Sequence, residues 1–157
     1  MRQDRFLTGI LIGIVVLVVA ALAVFFTRSD TQTYVSEYAP EGVTHNYVVA
    51  ILNKDYEKAY TYLADLDNKP TYEQFRDAFI KGMVNPDDAA VDIGRSEITG
   101  DTASVEVAIV YNPTDPFSTG YRDVQRAVLV KQDGAWKLSS MPTYYFWDYS
   151  WYTEQPK

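Results

Sequence analysis

Residues 6–26 of the chain read FLTGILIGIVVLVVAALAVFF, an apolar run without a charged side chain. At about 1.5 Å per residue, a helix of this length spans roughly 31 Å, the thickness of a bilayer's hydrocarbon core. We therefore predict that residues 1–28 form an N-terminal transmembrane anchor. A cleaved secretory signal is the alternative, because a basic amino end precedes the run and Ala21-Leu22-Ala23 has the small-x-small form of a cleavage site.

The residues around and within this run predict its orientation and its contacts. Arg2 and Arg5 precede it, which favours a cytoplasmic amino terminus and places the rest of the chain on the periplasmic or extracellular side of the cell membrane. Gly9 and Gly13 form a GxxxG pair, and Ala20 continues the same helix face. These three residues are the predicted helix-packing face toward other membrane protein subunits, and residues 6–26 would contact lipid. Small residues are also common in single spans that pack against nothing.

Composition limits what the remainder of the chain can do. After residue 28 the formal net charge is about −9, so nucleic acid is a poor partner. The chain has no cysteine, which excludes disulfides, thiolate catalysis and thiolate metal ligation. The length that remains suits one domain with a single core.

Three stretches then show the spacing of amphipathic helices. After a polar stalk over residues 29–39, Pro40 fits the first turn of one helix, Asp55 caps a second, and Thr71 with Gln74 has the form of a capping box for a third. Their predicted buried stripes comprise Val43, Tyr47, Ala50 and Ile51; Tyr56, Ala59, Tyr60 and Leu63; and Tyr72, Phe75, Phe79 and Met83.

From residue 91 the pattern becomes that of strands. Residues 104–111 are rich in β-branched residues and alternate at their start, and residues 91–98 are their predicted hairpin partner. Residues 121–131 and 135–141 are two further predicted strands, with Asp133-Gly134 as a strong hairpin signal between them. The predicted fold class is α+β: one N-terminal transmembrane helix, followed by three helices packed on a curved antiparallel sheet of about four strands.

Residues 40–51, 55–63 and 133–138 (PEGVTHNYVVAI, DYEKAYTYL and DGAWKL) carry a resemblance. The chain resembles the nuclear transport factor 2-like superfamily, whose fold is a cystatin-like α+β cone, and within it the small membrane-anchored exported bacterial branch. The resemblance covers roughly residues 40–139 and places the domain at 40–141. It implies a pocket between sheet and helices, which is catalytic in ketosteroid isomerase-like members and serves binding or assembly in many others.

The residues themselves supply no catalytic or metal-binding motif. No Asp and Tyr pair matches the acid–base positions of those enzymes. His45 is the single histidine, and it suits a general base if its side chain opens into the pocket. The alternative is a hydrogen-bonded or surface histidine. Asp65-x-Asp67 begins like a calcium loop, but Pro70 occupies the position that needs glycine. Asp87-Asp88 offers too few ligands for calcium. We predict no catalytic residue, no cofactor and no metal site.

Residues 144–152, YYFWDYSWY, form the aromatic part of a C-terminal tail over residues 142–157. So many aromatic side chains seldom stay exposed to water. Three alternatives remain for their burial: the domain's own pocket, the surface of another protein, or the lipid headgroups. The predicted partner- or interface-binding residues are Tyr144, Tyr145, Phe146, Trp147, Tyr149, Trp151 and Tyr152.

Together these features predict a single-pass, membrane-anchored accessory subunit of a larger membrane protein complex, non-catalytic, with an outer domain used for protein interaction. An outward-facing sensor that binds a small apolar ligand is the alternative. An isomerase- or dehydratase-like enzyme that uses the cone pocket is a weaker one.

Overall fold

The computed structural model describes residues 3–27, 33–111 and 121–153. The chain divides into two compact units, Met1–Gln32 and Thr33–Lys157. The first unit contains helix α1 (Gln3–Thr27). The second contains helices α2 (Pro40–Leu52), α3 (Tyr56–Thr61) and α4 (Tyr72–Ile80), a 3-10 turn (Pro86–Asp88), and strands β1 (Ala89–Thr99), β2 (Thr102–Tyr111), β3 (Arg122–Gln132) and β4 (Ala135–Ser140).

Helix α1 corrects the first prediction. Within the described part of the chain, no helix is both long enough and apolar enough to cross a membrane. The prediction of a transmembrane anchor, and with it the single-pass part of the predicted fold, is therefore wrong. The predicted location outside the cytoplasm stays a prediction.

The three helices of the second unit begin where local hydrogen bonding predicts. Asp55 caps α3 by accepting a hydrogen bond from the backbone N–H of Lys58 at 3.1 Å. At the start of α4, the Thr71 hydroxyl accepts from the Gln74 N–H at 3.2 Å while the Gln74 side chain accepts from the Thr71 N–H at 2.9 Å. Both predicted caps are confirmed, because each depends on residues three apart in sequence.

The sheet is a four-stranded antiparallel meander in the order β1-β2-β3-β4. Asp133 and Gly134 both have positive φ, 50° and 81°, as a two-residue hairpin turn of type I′ requires, so the predicted hairpin is confirmed. A register shift between Ile93 and Ser96 marks a bulge in β1. One face of the sheet packs against α2 and supplies buried side chains to the core: Val105, Val107, Ile109, Ala127, Leu129 and Leu138.

Two residues assigned to helical stripes lie beyond the helices. Helix α3 ends at Thr61, and Leu63 instead pairs in parallel with Leu138 of β4. The N–H of Ala64 donates to the carbonyl of Leu138 at 2.7 Å, and the N–H of Leu138 donates to the carbonyl of Tyr62 at 2.8 Å. This pairing covers the edge of β4, and it is a tertiary contact that helical periodicity does not reveal. Helix α4 ends at Ile80, which leaves Met83 exposed in the loop that follows.

The chain before α2 is held against that helix. We call residues 33–39 the strap; residues 29–32 of the predicted stalk lie outside the described chain. The buried Asn46 amide accepts from the Val35 N–H and donates to the Val35 carbonyl, both at 2.8 Å. A Cβ on Gly42 would collide with the Ser36 carbonyl oxygen, so glycine allows the strap backbone to touch the helix.

Candidate functional site

The C-terminal tail returns across the helices and enters the core of its own domain. Phe146, Trp147 and Trp151 are buried, with Trp151 only 7 % exposed. The Tyr47 hydroxyl donates to the carbonyl of Phe146 at 2.7 Å, a contact between residues 99 apart in sequence. Burial raises the pKa of Tyr47 well above its ordinary value, which keeps this hydroxyl protonated as a donor.

Ring contacts hold the two tryptophans of the tail in place. Trp151 lies 5.0 Å from Phe75 and 6.0 Å from Phe79, measured between ring centroids, and so packs on α4. Trp147 contacts Trp151 edge-on at 5.0 Å and stacks on Tyr152 at 5.7 Å. These separations are those of favourable aromatic pairs. The tryptophans of the tail therefore pack against aromatic rings of α2 and α4 within the core cluster of the domain.

The end of the tail is tied to the turn after α3. The Tyr152 hydroxyl donates to the Ala64 carbonyl at 2.5 Å, and the Tyr152 N–H donates to the Asn68 carbonyl at 3.3 Å. Burial raises the pKa of Tyr152 as well, so its hydroxyl also stays protonated.

The seven aromatic residues predicted to bind partners are thus divided by the fold. Phe146, Trp147 and Trp151 pack in the domain core, and Tyr145 and Tyr152 are half-buried. Tyr144 and Tyr149 are 69 % and 74 % exposed. The role of the seven residues in partner binding stays a prediction, and Tyr144 and Tyr149 are the most exposed members of the set.

Beside the tail, α4 and the loop after it enclose a cleft of about 610 Å³. We call it the aromatic cleft, because aromatic rings from the tail form one side of it. Residues of α4 and of the turns on either side form the other. Its lining consists of Asn68, Pro70, Gln74, Asp77, Ala78, Lys81, Met83, Tyr144, Trp147, Asp148, Tyr149, Ser150 and Trp151.

The charged groups of the aromatic cleft differ in their surroundings. Lys81, the residue that follows α4, contacts Asp77 one turn earlier at 2.7 Å, and its hydrogen bond lowers the pKa of Asp77. Asp148 is 8 % exposed, and its Oδ1 accepts from the N–H of Ser150 at 2.8 Å and from its hydroxyl at 2.7 Å. Among the described residues no ion pair joins Asp148 to a cation.

Oε2 of Glu41 is buried without a hydrogen-bond partner, and in the part of the chain that the structure describes the domain interior otherwise holds few polar side chains. Its buried polar side chains are Thr44, Asn46 and Asp148. Thr44 donates to the Pro40 carbonyl at 2.9 Å, and Asn46 is bonded to the strap. His45 lies on the side of α2 that faces the strap, with Nε2 3.1 Å from the Thr33 carbonyl oxygen, so this ring is hydrogen-bonded in an exposed contact.

A cluster that sequence reasoning missed anchors the strap at its other end. The Tyr62 hydroxyl donates to Oε1 of Glu37 at 2.7 Å, and the Lys58 ammonium lies 3.7 Å from the same oxygen. The hydrogen bond from Tyr62 is the main cause that lowers the pKa of Glu37, while burial raises the pKa of Tyr62. Lys58 also lies 5.5 Å from the ring centres of Tyr34 and Tyr62. Residues 25 apart in sequence give no local signal of such a cluster.

The other candidate residues occupy separate places. Asp65 and Asp67 lie exposed in the turn before α4, Asp87 is exposed in the 3-10 turn, and the side chain of Asp88 lies outside the described residues. No group of three or more acidic, histidine or cysteine side chains that could hold a metal ion occurs among the described residues.

On α1, the predicted helix-packing residues are exposed. A Cβ at Gly9 or Gly13 would meet nothing within 4 Å, and Ala20 is exposed as well. A packing role for this face stays a prediction.

Comparison with known proteins gives limited likeness. No family model matches the sequence, and no curated protein matches it. Solved structures similar to this chain include a SEC-C motif-containing protein from Rhodopseudomonas palustris, with TM-score 0.47 and 16 % identity, covering 68 % of this chain and 79 % of that one. A cystatin-fold protein from Novosphingobium aromaticivorans has TM-score 0.44 and 12 % identity, covering 63 % and 93 %.

A further similar structure, from Campylobacter jejuni, is described as a nuclear transport factor 2-like transpeptidase; it has TM-score 0.41 and 16 % identity, covering 63 % of this chain and 95 % of that one. The names of the Campylobacter protein and of the cystatin-fold protein are consistent with the resemblance seen in the sequence. With TM-scores below 0.5, these similarities do not indicate what the present chain binds or does.

Proposed function

We propose that the domain from residue 33 onward is a non-catalytic interaction module that binds another protein at the aromatic cleft. The observation that carries this proposal is the division of the tail. Its large rings at Phe146, Trp147 and Trp151 fill the domain's interior, while Tyr144 and Tyr149 stand exposed beside the cleft. A filled interior leaves the surface of the domain as the place for recognition.

The chemistry of the cleft supports a protein partner. Tyrosine and tryptophan are favoured anchors at protein interfaces, and methionine is enriched there too. The exposed Met83 lies in the same cleft as Tyr144 and Tyr149. The tyrosines are presented on a tail that buried tryptophans hold in place, so little ordering of the tail is needed on binding.

The interior supports a role without catalysis. Tyr47 donates to a backbone carbonyl, and the buried Thr44 and Asn46 hydrogen bond to backbone groups. A general acid or base needs a proton that it can exchange with a substrate at hydrogen-bonding distance. The hydroxyl and amide groups of these residues are committed to holding the fold.

The test compares the proteins that co-purify with the unmodified full chain and with variants at exposed tyrosines. Each chain carries an N-terminal tag and is purified from its native cell under mild conditions. We expect a stoichiometric partner protein that is lost in Tyr149→Ala and Tyr144→Ala. Tyr38→Ala is the matched control, because Tyr38 is 96 % exposed and lies outside the cleft. A partner retained by both cleft variants would refute the proposal.

A small ligand in the same cleft is a second candidate. The volume of about 610 Å³ lies within the usual range of ligand sites, roughly 300–1,000 Å³, and four of the thirteen residues that line the cleft are aromatic. If a small apolar ligand is the occupant, the purified full chain carries it through gel filtration and Tyr149→Ala releases it, with no partner protein present.

A further inference from the structure

Asp148 is the charged residue among the buried side chains of the described chain, and it lines the aromatic cleft. The hydrogen bonds recorded to its side chain both reach Oδ1, and both donors, the N–H and the hydroxyl of Ser150, are neutral. A carboxylate withdrawn from water is costly unless a positive charge compensates it. A cation is therefore the group that would complement this carboxylate.

The walls around this carboxylate suit a cation as well. Tyr144 and Tyr149 line the same cleft with exposed side chains, and the faces of such rings attract ammonium and guanidinium groups. The cation that already lines the cleft, Lys81, is engaged with Asp77 at 2.7 Å. Among the described residues, Asp148 has no ion-pair partner, so a cation that enters the cleft meets this free carboxylate together with aromatic rings.

From this geometry we propose that the aromatic cleft binds an arginine or lysine side chain of the partner polypeptide, with its charge on Asp148 and its stem against the aromatic rings. This inference rests on the proposed function and names the chemistry of the partner. The formal net charge of −7 on the whole chain favours the approach of a basic segment. A cleft of about 610 Å³ accommodates a long side chain together with part of its backbone.

The test uses two synthetic peptides that differ in one side chain, which is charged in the first and neutral in the second. The first is acetyl-Gly-Ser-Arg-Ser-Gly-amide, and the second carries citrulline, the neutral analogue of arginine, in its place. The full chain is titrated with each while tryptophan fluorescence is recorded, because Trp147 and Trp151 line the cleft. We expect the arginine peptide to bind at least about tenfold more tightly, as the loss of a charge-assisted contact predicts.

Two variants assign the effect to the carboxylate. Asp148→Asn keeps an oxygen that can accept from Ser150 but removes the charge, and we expect it to weaken the arginine peptide at least about tenfold, to the level of the citrulline peptide. Asp101→Asn, in the exposed β1–β2 turn outside the cleft, is the matched control and should bind like the unmodified chain. Circular dichroism confirms that the variants are folded, and Tyr149→Ala, at an exposed side chain, provides a second cleft variant.

Each result supports or overturns the inference. Equal affinity for the two peptides, no binding of the arginine peptide at millimolar concentration, or unchanged binding by Asp148→Asn overturns it. Tetramethylammonium that binds as tightly as the arginine peptide would assign the site to a free organic cation and also overturn it. A native partner lost in Tyr149→Ala but kept in Asp148→Asn leaves the proposed function standing and removes this inference. A partner kept in both removes the proposed function itself.

Discussion

Replacement of Trp151 by alanine tests whether the tail is part of the domain core. Trp151 is 7 % exposed and contacts rings of Phe75, Phe79 and Trp147 at centroid distances of 5.0, 6.0 and 5.0 Å. Burial of about 200 Å² at roughly 25 cal/mol per Å² corresponds to about 5 kcal/mol, and large-to-small changes at buried tryptophans cost ~3–5 kcal/mol. We expect Trp151→Ala to lower the free energy of unfolding by about 4 kcal/mol, a large part of the ~5–15 kcal/mol of an ordinary domain.

The assay is equilibrium unfolding in urea followed by circular dichroism, with the thermal midpoint as a second measure. A loss of about 4 kcal/mol should lower the midpoint by more than ~10 °C in a domain of this size. Tyr149→Ala is the control, since Tyr149 is 74 % exposed in the same tail and should change the free energy by about 0.5 kcal/mol or less. A Trp151→Ala protein within about 1 kcal/mol of the unmodified one would refute the packing of the tail in the core.

Three other substitutions test the contacts that fix the tail and the strap. Tyr47→Phe removes the donor at 2.7 Å from the Phe146 carbonyl, and urea unfolding should show a loss of ~1–3 kcal/mol; an unchanged midpoint would mean that this carbonyl has another donor. Gly42→Ala places a methyl group against the Ser36 carbonyl, so thermal unfolding should show a loss of stability of ~1–3 kcal/mol. Hydrogen exchange of the strap amides should also become faster, and unaltered exchange would contradict the close approach of strap and helix. The Tyr62 hydroxyl lowers the pKa of Glu37, so the stability that this carboxylate contributes is fully present above its ordinary pKa of 4.5 and is lost as pH falls through its lower pKa in the folded state. Glu37→Gln should therefore reduce the loss of stability on acidification, measured by urea unfolding at a series of pH values. An identical loss in both proteins would exclude Glu37 as its source.

Features that depend on neighbours in sequence could be predicted. The caps at Asp55 and Thr71 and the turn at Asp133-Gly134 each involve residues at most three apart, and the structure has all of them. The change from helical to alternating periodicity near residue 90 likewise predicted the order of three helices and a four-stranded antiparallel sheet, because burial on one face imposes that period on the sequence.

One prediction from a local pattern was wrong. The apolar run over residues 6–26 forms a helix, but among the described residues no helix is long and apolar enough to cross a membrane. The predicted second and third helices were also too long, because Leu63 and Met83 lie beyond the ends of α3 and α4. Apolar residues that follow a helix can continue its spacing by chance, and tertiary contacts then decide whether they are buried.

Tertiary structure alone decided where the strap and the tail lie. Asn46 bonds to Val35 across 11 residues, Tyr152 to Ala64 across 88, and Tyr47 to Phe146 across 99. The sequence by itself determined that this chain forms an α+β domain and that its aromatic end must be buried somewhere, since helical and strand periods and the cost of exposed rings are local properties. The packing of segments far apart in the chain decided which rings enter the core and which two stay exposed. It also placed a buried carboxylate in the same cleft as the exposed rings. No local pattern in the sequence encodes such contacts.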